Sequence, residues 1–419
     1  CNMAPSKGVL LTHTDFPLYT VRSLDERHFL VAGGGGQAKT GVANAIEIYE
    51  LKATQTGTTC SNISRHETGI RAVMNCSSYY DGRNHHLATG EDELCRTYSV
   101  KYKVITPSKA DTDKADGVKK RKQENSGHVN NTATADGVPD KQLTFQIEET
   151  GSVATDFSND GGFQKCVRFS PDFKYLATGG ADGYLRVWKY PELVKLWEVP
   201  AHTNEIDDLD FSPFGSEIIT VSWDKTGRVW STSDGKKKTD LVWAQKTSSP
   251  YRFKACRYGL IEGKKDKFNF YTVSIPVTRS SKSPCYISVW DSSKFTFKKA
   301  VSAGVDTVST FAVSKDGIYL GAGYISGSVS VYISFSLQRL YHVKDAHSIF
   351  VTGVEFLPTS EITKAITGDQ DFNLLSISAD NTIRLHQCPE RSSFNPLLII
   401  LAAALMIILL FYLMAELGI

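Results

Sequence analysis

The sequence predicts an all-β protein, a β-propeller of seven blades, followed by one C-terminal apolar helix. Three observations predict it. Strand-like runs recur roughly every 40 to 50 residues. The turns between them carry Gly, Asp and Asn, the residues that tolerate tight backbone turns. The stretch 397–415 (LLIILAAALMIILLFYLMA) runs 19 residues without a charge. Composition agrees, since 21 Phe and 18 Tyr against 4 Met favour sheet over helix. A net charge of +2 gives no electrostatic case for nucleic acid or a strongly acidic partner.

Two units set the pattern: 163–190 (FQKCVRFSPDFKYLATGGADGYLRVWKY) and 205–231 (EIDDLDFSPFGSEIITVSWDKTGRVWS). Each runs strand, S-P turn, strand, Asp-containing turn, strand. Three later units, 251–291, 306–333 and 351–387, follow the same plan, and two earlier ones are read at 16–51 and 69–100. A four-stranded unit has two apolar faces and covers neither alone, so the blades must stack around an axis. The fold class is therefore a seven-bladed WD-repeat β-propeller followed by a single C-terminal transmembrane helix. Residues 1–105 hold the first two blades, with VLLTH at 9–13 as a closing strand, and residues 142–390 hold blades three to seven. Between them, 106–141 is polar, contains KKRK at 119–122 and is expected to be disordered.

At about 1.5 Å per residue, 397–415 spans roughly 28 Å, enough for a bilayer core. Arg391 precedes the span and nothing basic follows, so the N-terminal bulk is expected to face the cytosol, leaving 416–419 on the far side. Phe411 and Tyr412 are expected at the far interface, and the sequons at Asn62, Asn75 and Asn130 are expected to stay unglycosylated. The eight cysteines are scattered and form no CxxC pair, so they read as buried thiols rather than a metal site.

His202, Ser222, Asp224 and Trp230 include the identities of a hydrolytic triad. They partly recur as His347, Ser378 and Asp380, and as Thr178, Asp182 and Trp188. A triad is built once, whereas a structural network recurs in each blade, so these are read as ties between turn and strand.

The most unusual segment is 33–44 (GGGGQAKTGVAN). As a phosphate-binding loop it has Ala38 where the motif needs Gly before Lys39 and Thr40, and Ile46, Ile48 and Leu51 continue as strand rather than as the required helix. As a hairpin turn it is too long. It reads instead as a protruding loop that inserts its backbone into a partner or around an ion. The carbonyls of Gly33, Gly34, Gly35 and Gly36 are candidates to ring a monovalent cation such as potassium.

On this loop, with FPLY at 16–19, ATGGADGYLRVWK at 177–189, PYRFKACRYG at 250–259 and GSVSVYISFSLQRLYHVKDAH at 327–347, the chain resembles the family of the prolactin regulatory element-binding protein and the yeast endoplasmic-reticulum exchange factor for the Sar GTPase. The resemblance covers nearly everything except 106–141. It implies a guanine nucleotide exchange factor, with no covalent chemistry, that promotes GDP release from a Sar-family small GTPase and starts coat protein complex II vesicle assembly. It implies a single-pass protein of the endoplasmic reticulum membrane, propeller in the cytosol and C-terminus lumenal, with other coat or exit-site proteins as further partners. By position Gly41, Val42 and Asn44, with Lys39 and Thr40, are the GTPase-contacting residues, and 33–44 is the potassium-organised loop. Asn44 is expected to engage backbone groups freed in the GTPase. No cofactor is required, and no motif for DNA is present. A membrane-anchored WD scaffold without exchange activity, recruiting partners of the early secretory pathway, is the alternative.

Overall fold

The structure, a computed structural model, describes residues 7–38, 41–55, 57–105, 142–159, 161–389 and 396–416. Its strands form seven antiparallel sheets of four. Blade 1 is Leu18–Ser23, His28–Gly34, Asn44–Thr54 and Gly57–Glu67. Blade 2 is Asn75–Tyr80, His85–Glu91, Leu94–Ile105 and Gln142–Ala154. Blades 3 to 6 begin at Gln164–Phe169, Ile206–Phe211, Tyr251–Ile261 and Val308–Val313. Blade 7 is Val351–Phe356, Gln370–Ser378 and Thr382–Pro389, completed by Val9–His13 from the opposite end of the chain.

The first strand of each blade packs against the first strands of both neighbours, and the series closes from blade 7 back to blade 1. These strands line an axial cavity of about 450 Å³. Several of its charges are paired: Arg22 lies 3.2 Å from Glu355, and Arg168 and Arg257 share Asp208. The apolar core lies between blades. Leu30, Ile46 and Ile48 of blade 1 pack with Cys76, Leu87 and Tyr98 of blade 2. Val21, Phe29 and Val31 pack with Leu375, Ile377 and Leu385 of blade 7. Covered from both sides, second strands are buried along most of their length, and every residue of His28–Gly34 is buried.

Strand direction defines two faces. The turns from second to third strand, and the links from one blade to the next, lie on what we term the upper face. The turns from first to second and from third to fourth strand lie on the lower face. His13 pairs with Thr382 at the upper end of the blade 7 closure, and Val9 pairs with Leu385 below it.

The polar segment 106–141, expected to be disordered, lies outside the described residues, but its flanks correct the domain division. Gln142–Ala154 pairs along its whole length with Leu94–Ile105, so it closes blade 2 rather than opening blade 3. The insertion therefore interrupts a blade, leaving from and returning to the lower face. Blade 7 contains a short helix, α1 (Glu361–Thr367), capped by the Ser360 hydroxyl on the Thr363 amide at 3.2 Å and ended by Gly368 at φ 77°.

A second helix, α2 (Pro396–Glu416), covers the apolar tail. Counted over the described side chains, no helix is long and apolar enough to cross a membrane. The backbone helix itself has 21 residues, about 30 Å at helical rise. Its described apolar side chains, including Met406 and Phe411, are exposed.

The His/Asp/hydroxyl constellations are structural ties, with one correction to their membership. In blade 4, His202 bonds Asp224 at 3.0 Å and Thr220 at 2.7 Å, and the Trp230 indole donates to Thr220 at 2.8 Å. Ser222 instead donates to the Asn204 carbonyl. In blade 7, His347 bonds Ser376, not Ser378, and His386 takes the tryptophan's place, 2.8 Å from Ser376. In each pair the two hydroxyls are two residues apart on one strand and share a face, which sequence spacing does not separate. The indoles of Trp188 and Trp290 likewise donate to Thr178 and Thr272. Burial would raise the Asp224 carboxyl, but the bonds from His202 and Thr226 outweigh it and hold it below the usual carboxylate range.

Two predictions follow from the ring. Deleting residues 1–15 strips Thr382–Pro389 of its outer partner, and the melting temperature should fall by at least about 5 °C; an unchanged melt by circular dichroism would show that closure does not depend on this strand. Burial, with the nearby charges of His347 and Arg384, pushes the His386 imidazole down to about 3. Unfolded, it titrates near 6.5, so below that pH the unfolded chain takes up the proton first, and stability falls as pH drops, by about 3 kcal/mol at pH 4. Melting temperature against pH checks this, and His386→Gln should flatten the slope between pH 6.5 and 4.

Candidate functional site

The glycine-rich segment rises from the upper face of blade 1. It is strand, loop, strand: His28–Gly34 pairs in register with Asn44–Thr54, from His28 opposite Glu50 to Gly34 opposite Asn44. The second strand begins at Asn44 and no helix follows, so the phosphate-loop geometry does not form.

The base of the loop is built to one pattern. Gly34 has φ 141°, and a Cβ there would lie 2.1 Å from the Asn44 side-chain oxygen, so only glycine fits. The Gly34 amide donates to the Pro17 carbonyl at 3.0 Å. The Asn44 side chain is buried and brackets the loop. Its Oδ1 accepts from the Gly36 amide at 2.8 Å, and its Nδ2 donates to the Gly69 carbonyl at 2.9 Å. The Asn44 carbonyl accepts from the Thr68 amide. One side chain thus joins the start of the loop, its end and the link to blade 2. Asn44 has both the donor and the acceptor expected of it, but both are directed inward.

Further out, the Gln37 amide donates to Asp92 at 2.9 Å, tying the loop to the matching turn of blade 2. Arg71 holds that turn, 2.7 Å from Glu93 and 3.7 Å from Asp92. The Arg71 bond keeps the Glu93 carboxyl below its ordinary range. Glu91 beneath is fully buried. Burial pushes its carboxyl up, against the pull of the Tyr98 and Thr89 hydroxyls and the Arg96 charge. Gly41 and Val42 are exposed, Gly41 at φ 78° with open space around it. Lys39 and Thr40 lie outside the described residues.

The four glycines do not form one ring. Gly33 and Gly34 belong to a strand paired on both sides, where successive carbonyls point to opposite neighbours, and the Gly36 carbonyl faces the Asn44 amide at 3.4 Å. Gly33 is fixed there for another reason: a Cβ would meet the Pro17 carbonyl at 2.0 Å. No cluster of three His, Cys, Asp or Glu suited to a metal occurs among the described residues.

Sequence reading missed the apolar side chains exposed on the upper face. Ile70, next to the Gly69 anchor, is 69% exposed, and Phe157, Trp223, Val242 and Val305 stand exposed on the same upper face. Arg186 lies between Phe157 and Tyr184, 4.9 Å from each ring. The exposed apolar side chains stand singly on different blades, and only Ile70 adjoins an anchor of the loop. Their position in links and turns was the available signal, but link residues are also where solitary apolar side chains carry no meaning.

The WD domain, G-beta repeat family matches residues 151–189 and 193–231. The first match joins the outer end of blade 2 to three strands of blade 3, the usual offset between repeat and blade. Over 407 residues and 95% of both chains, the protein is 37% identical to the guanine nucleotide-exchange factor SEC12 of Mus musculus. It is 36% identical over 405 residues to the protein of the same name in Rattus norvegicus. A SEC12-like protein 1 of Arabidopsis thaliana is 32% identical over 204 residues, about half of each chain.

Proposed function

The chain belongs to the SEC12 family of guanine nucleotide-exchange factors, and we propose that it uses the braced upper-face loop of blade 1 to drive GDP from a Sar-family GTPase at the endoplasmic reticulum membrane. The observation that carries the reading is the relation to SEC12 over 95% of both chains, which includes the loop and its anchors. Exchange activity needs no covalent step. A factor of this kind binds the nucleotide-free GTPase more tightly than the loaded one, and that difference alone shifts the equilibrium.

The loop suits such work because it is stiff at the root and bare at the tip. Switch segments of GTPases are ordered by phosphate and magnesium contacts. Gly41 and Val42 would press into that region, with Ile70 as a second apolar contact. Asn44 acts as a positioning residue: it holds the loop from beneath rather than touching the GTPase. A monovalent cation, where bound, would draw on carbonyls from Gly35 onward rather than on all four glycines, and no step of exchange is routed through it. Beyond the ring, α2 would anchor the chain. Its exposed apolar side chains find no cover on the protein and suit lipid. With Arg391 as the flanking basic residue, the propeller would lie in the cytosol, where vesicle coat assembly begins.

The test is GDP release, followed by fluorescence, from purified Sar GTPase with and without the full chain in vesicles. Acceleration is expected, and its absence would remove the function. Asn44→Ala should leave the melting temperature within a few degrees of the parent yet cut exchange by about tenfold or more, because a loop displaced by an ångström loses its aim. Near-normal exchange by that variant would take the bracket out of the mechanism.

A further inference from the structure

We infer that the lower face of the propeller, around blades 4 to 6, rests on the lipid surface through exposed phenylalanines and so holds the exchange loop away from the membrane. The inference rests on α2 being the membrane anchor proposed above.

Chain geometry carries the first half. The last strand of blade 7 starts at Thr382 on the upper face and runs downward to Pro389. The helix α2 starts at Pro396. The seven peptide steps between them reach at most about 25 Å. The lower end of blade 7 is therefore kept within that distance of the bilayer. The loop root lies on the opposite face: Thr14 donates to the Asn381 carbonyl beside the start of that strand, and Pro17, three residues on, accepts from Gly34.

Side chains carry the second half. Phe335, in the turn between third and fourth strands of blade 6, is 74% exposed, and Phe214, between first and second strands of blade 4, is 72% exposed. Both are on the lower face. Phe214 is held out by edge-to-face packing on Phe268 at 5.5 Å. Aromatic side chains exposed at turns on the side where an apolar helix departs match the belt that membrane proteins place at the interface. The turns also carry more exposed lysine than acid: Lys236, Lys264, Lys267, Lys294 and Lys315 stand among Asp234, Glu262 and Asp266. The occupant to which the phenylalanines point is the interfacial zone of a bilayer, and zwitterionic lipid tests their part separately from that of the lysines.

The experiment reconstitutes the full chain in phosphatidylcholine vesicles, with a fluorescent amino acid placed singly at 214, 335, 242 or 305. Brominated lipid should quench the probes at 214 and 335 at least twofold more than those at the upper-face positions 242 and 305. The difference should survive a rise in salt from about 0.05 to about 0.5 M, because screening acts only on charge. Equal quenching at all four positions overturns the inference, as does its loss at high salt. Alkaline carbonate extraction of the same vesicles reads the anchor separately. Release of the protein would sink the membrane-helix reading itself, whereas retention with equal quenching would sink only the proposed face. A Phe214→Asp, Phe335→Asp variant should abolish quenching at a third lower-face probe, position 173, while remaining carbonate-resistant; unchanged quenching there would count against the phenylalanines.

Discussion

Every part of this architecture depends on one requirement: a four-stranded sheet with two apolar faces has no stable existence until something covers both. Each blade buries one face on the blade before it and the other on the blade after, which is why the clusters of buried residues bridge blades rather than lie within them. The requirement has no end point in a linear stack. It is met only by closing the ring, and the chain closes it by giving its N-terminal strand Val9–His13 to the last blade. Only Leu11 of that strand is buried among core side chains, so its contribution is chiefly the backbone ladder it supplies to Thr382–Pro389. Closure also fixes where everything else can go. With strands antiparallel and blades repeated, turns alternate between two faces, and function must be grown on one of them.

The upper face received it. In most blades the turn from second to third strand is short: Glu91 and Leu94 in blade 2 are almost adjacent, as are Ser378 and Thr382 in blade 7. In blade 1 the same turn runs over residues 35–43. A free loop of that length would lose much of its aim to conformational entropy. Asn44 below and Asp92 beside it remove that freedom at the root and leave it at the tip, where Gly41 and Val42 face solvent. The link from blade 1 to blade 2 is part of the same device, because Gly69 accepts from Asn44 and Ile70 projects next to it.

Much of this was legible in the sequence, and the exceptions have definite causes. Blades 3 and 4 were readable because an S-P turn, an Asp turn and a Trp strand recur there at one spacing. The outer strand of blade 2 was missed because the insertion at 106–141 separates Gln142–Ala154 from its partner, and pairing across a gap leaves no local periodicity. The helix α1 was missed although Ser360 and Gly368 are ordinary start and stop signals, since seven residues carry little helical pattern. Ser222 and Ser378 stand in the sequence reading where the fold uses Thr220 and Ser376, because a strand repeats its facing every two residues. The role of Asn44 was the subtlest case. Its side chain has both donor and acceptor, so the residue type is right for gripping backbone, but identity does not say whose backbone.

That last distinction decides how such a loop can act. A residue that reached outward from 44 would have to be ordered on contact, and the cost of ordering would come out of the binding energy available to distort the GTPase. Turned inward, the same amide makes its bonds in the free protein, so the loop meets its partner already set. The glycines then have a single job each. Gly33 and Gly34 let strand and loop root pass close to Pro17 and Asn44, where any side chain would collide, and Gly36 and Gly41 take positive φ with open space where a side chain would stand. The first pair serves packing and the second serves shape. A run that looks uniform in the sequence is therefore divided in the fold between the scaffold and the tip it carries.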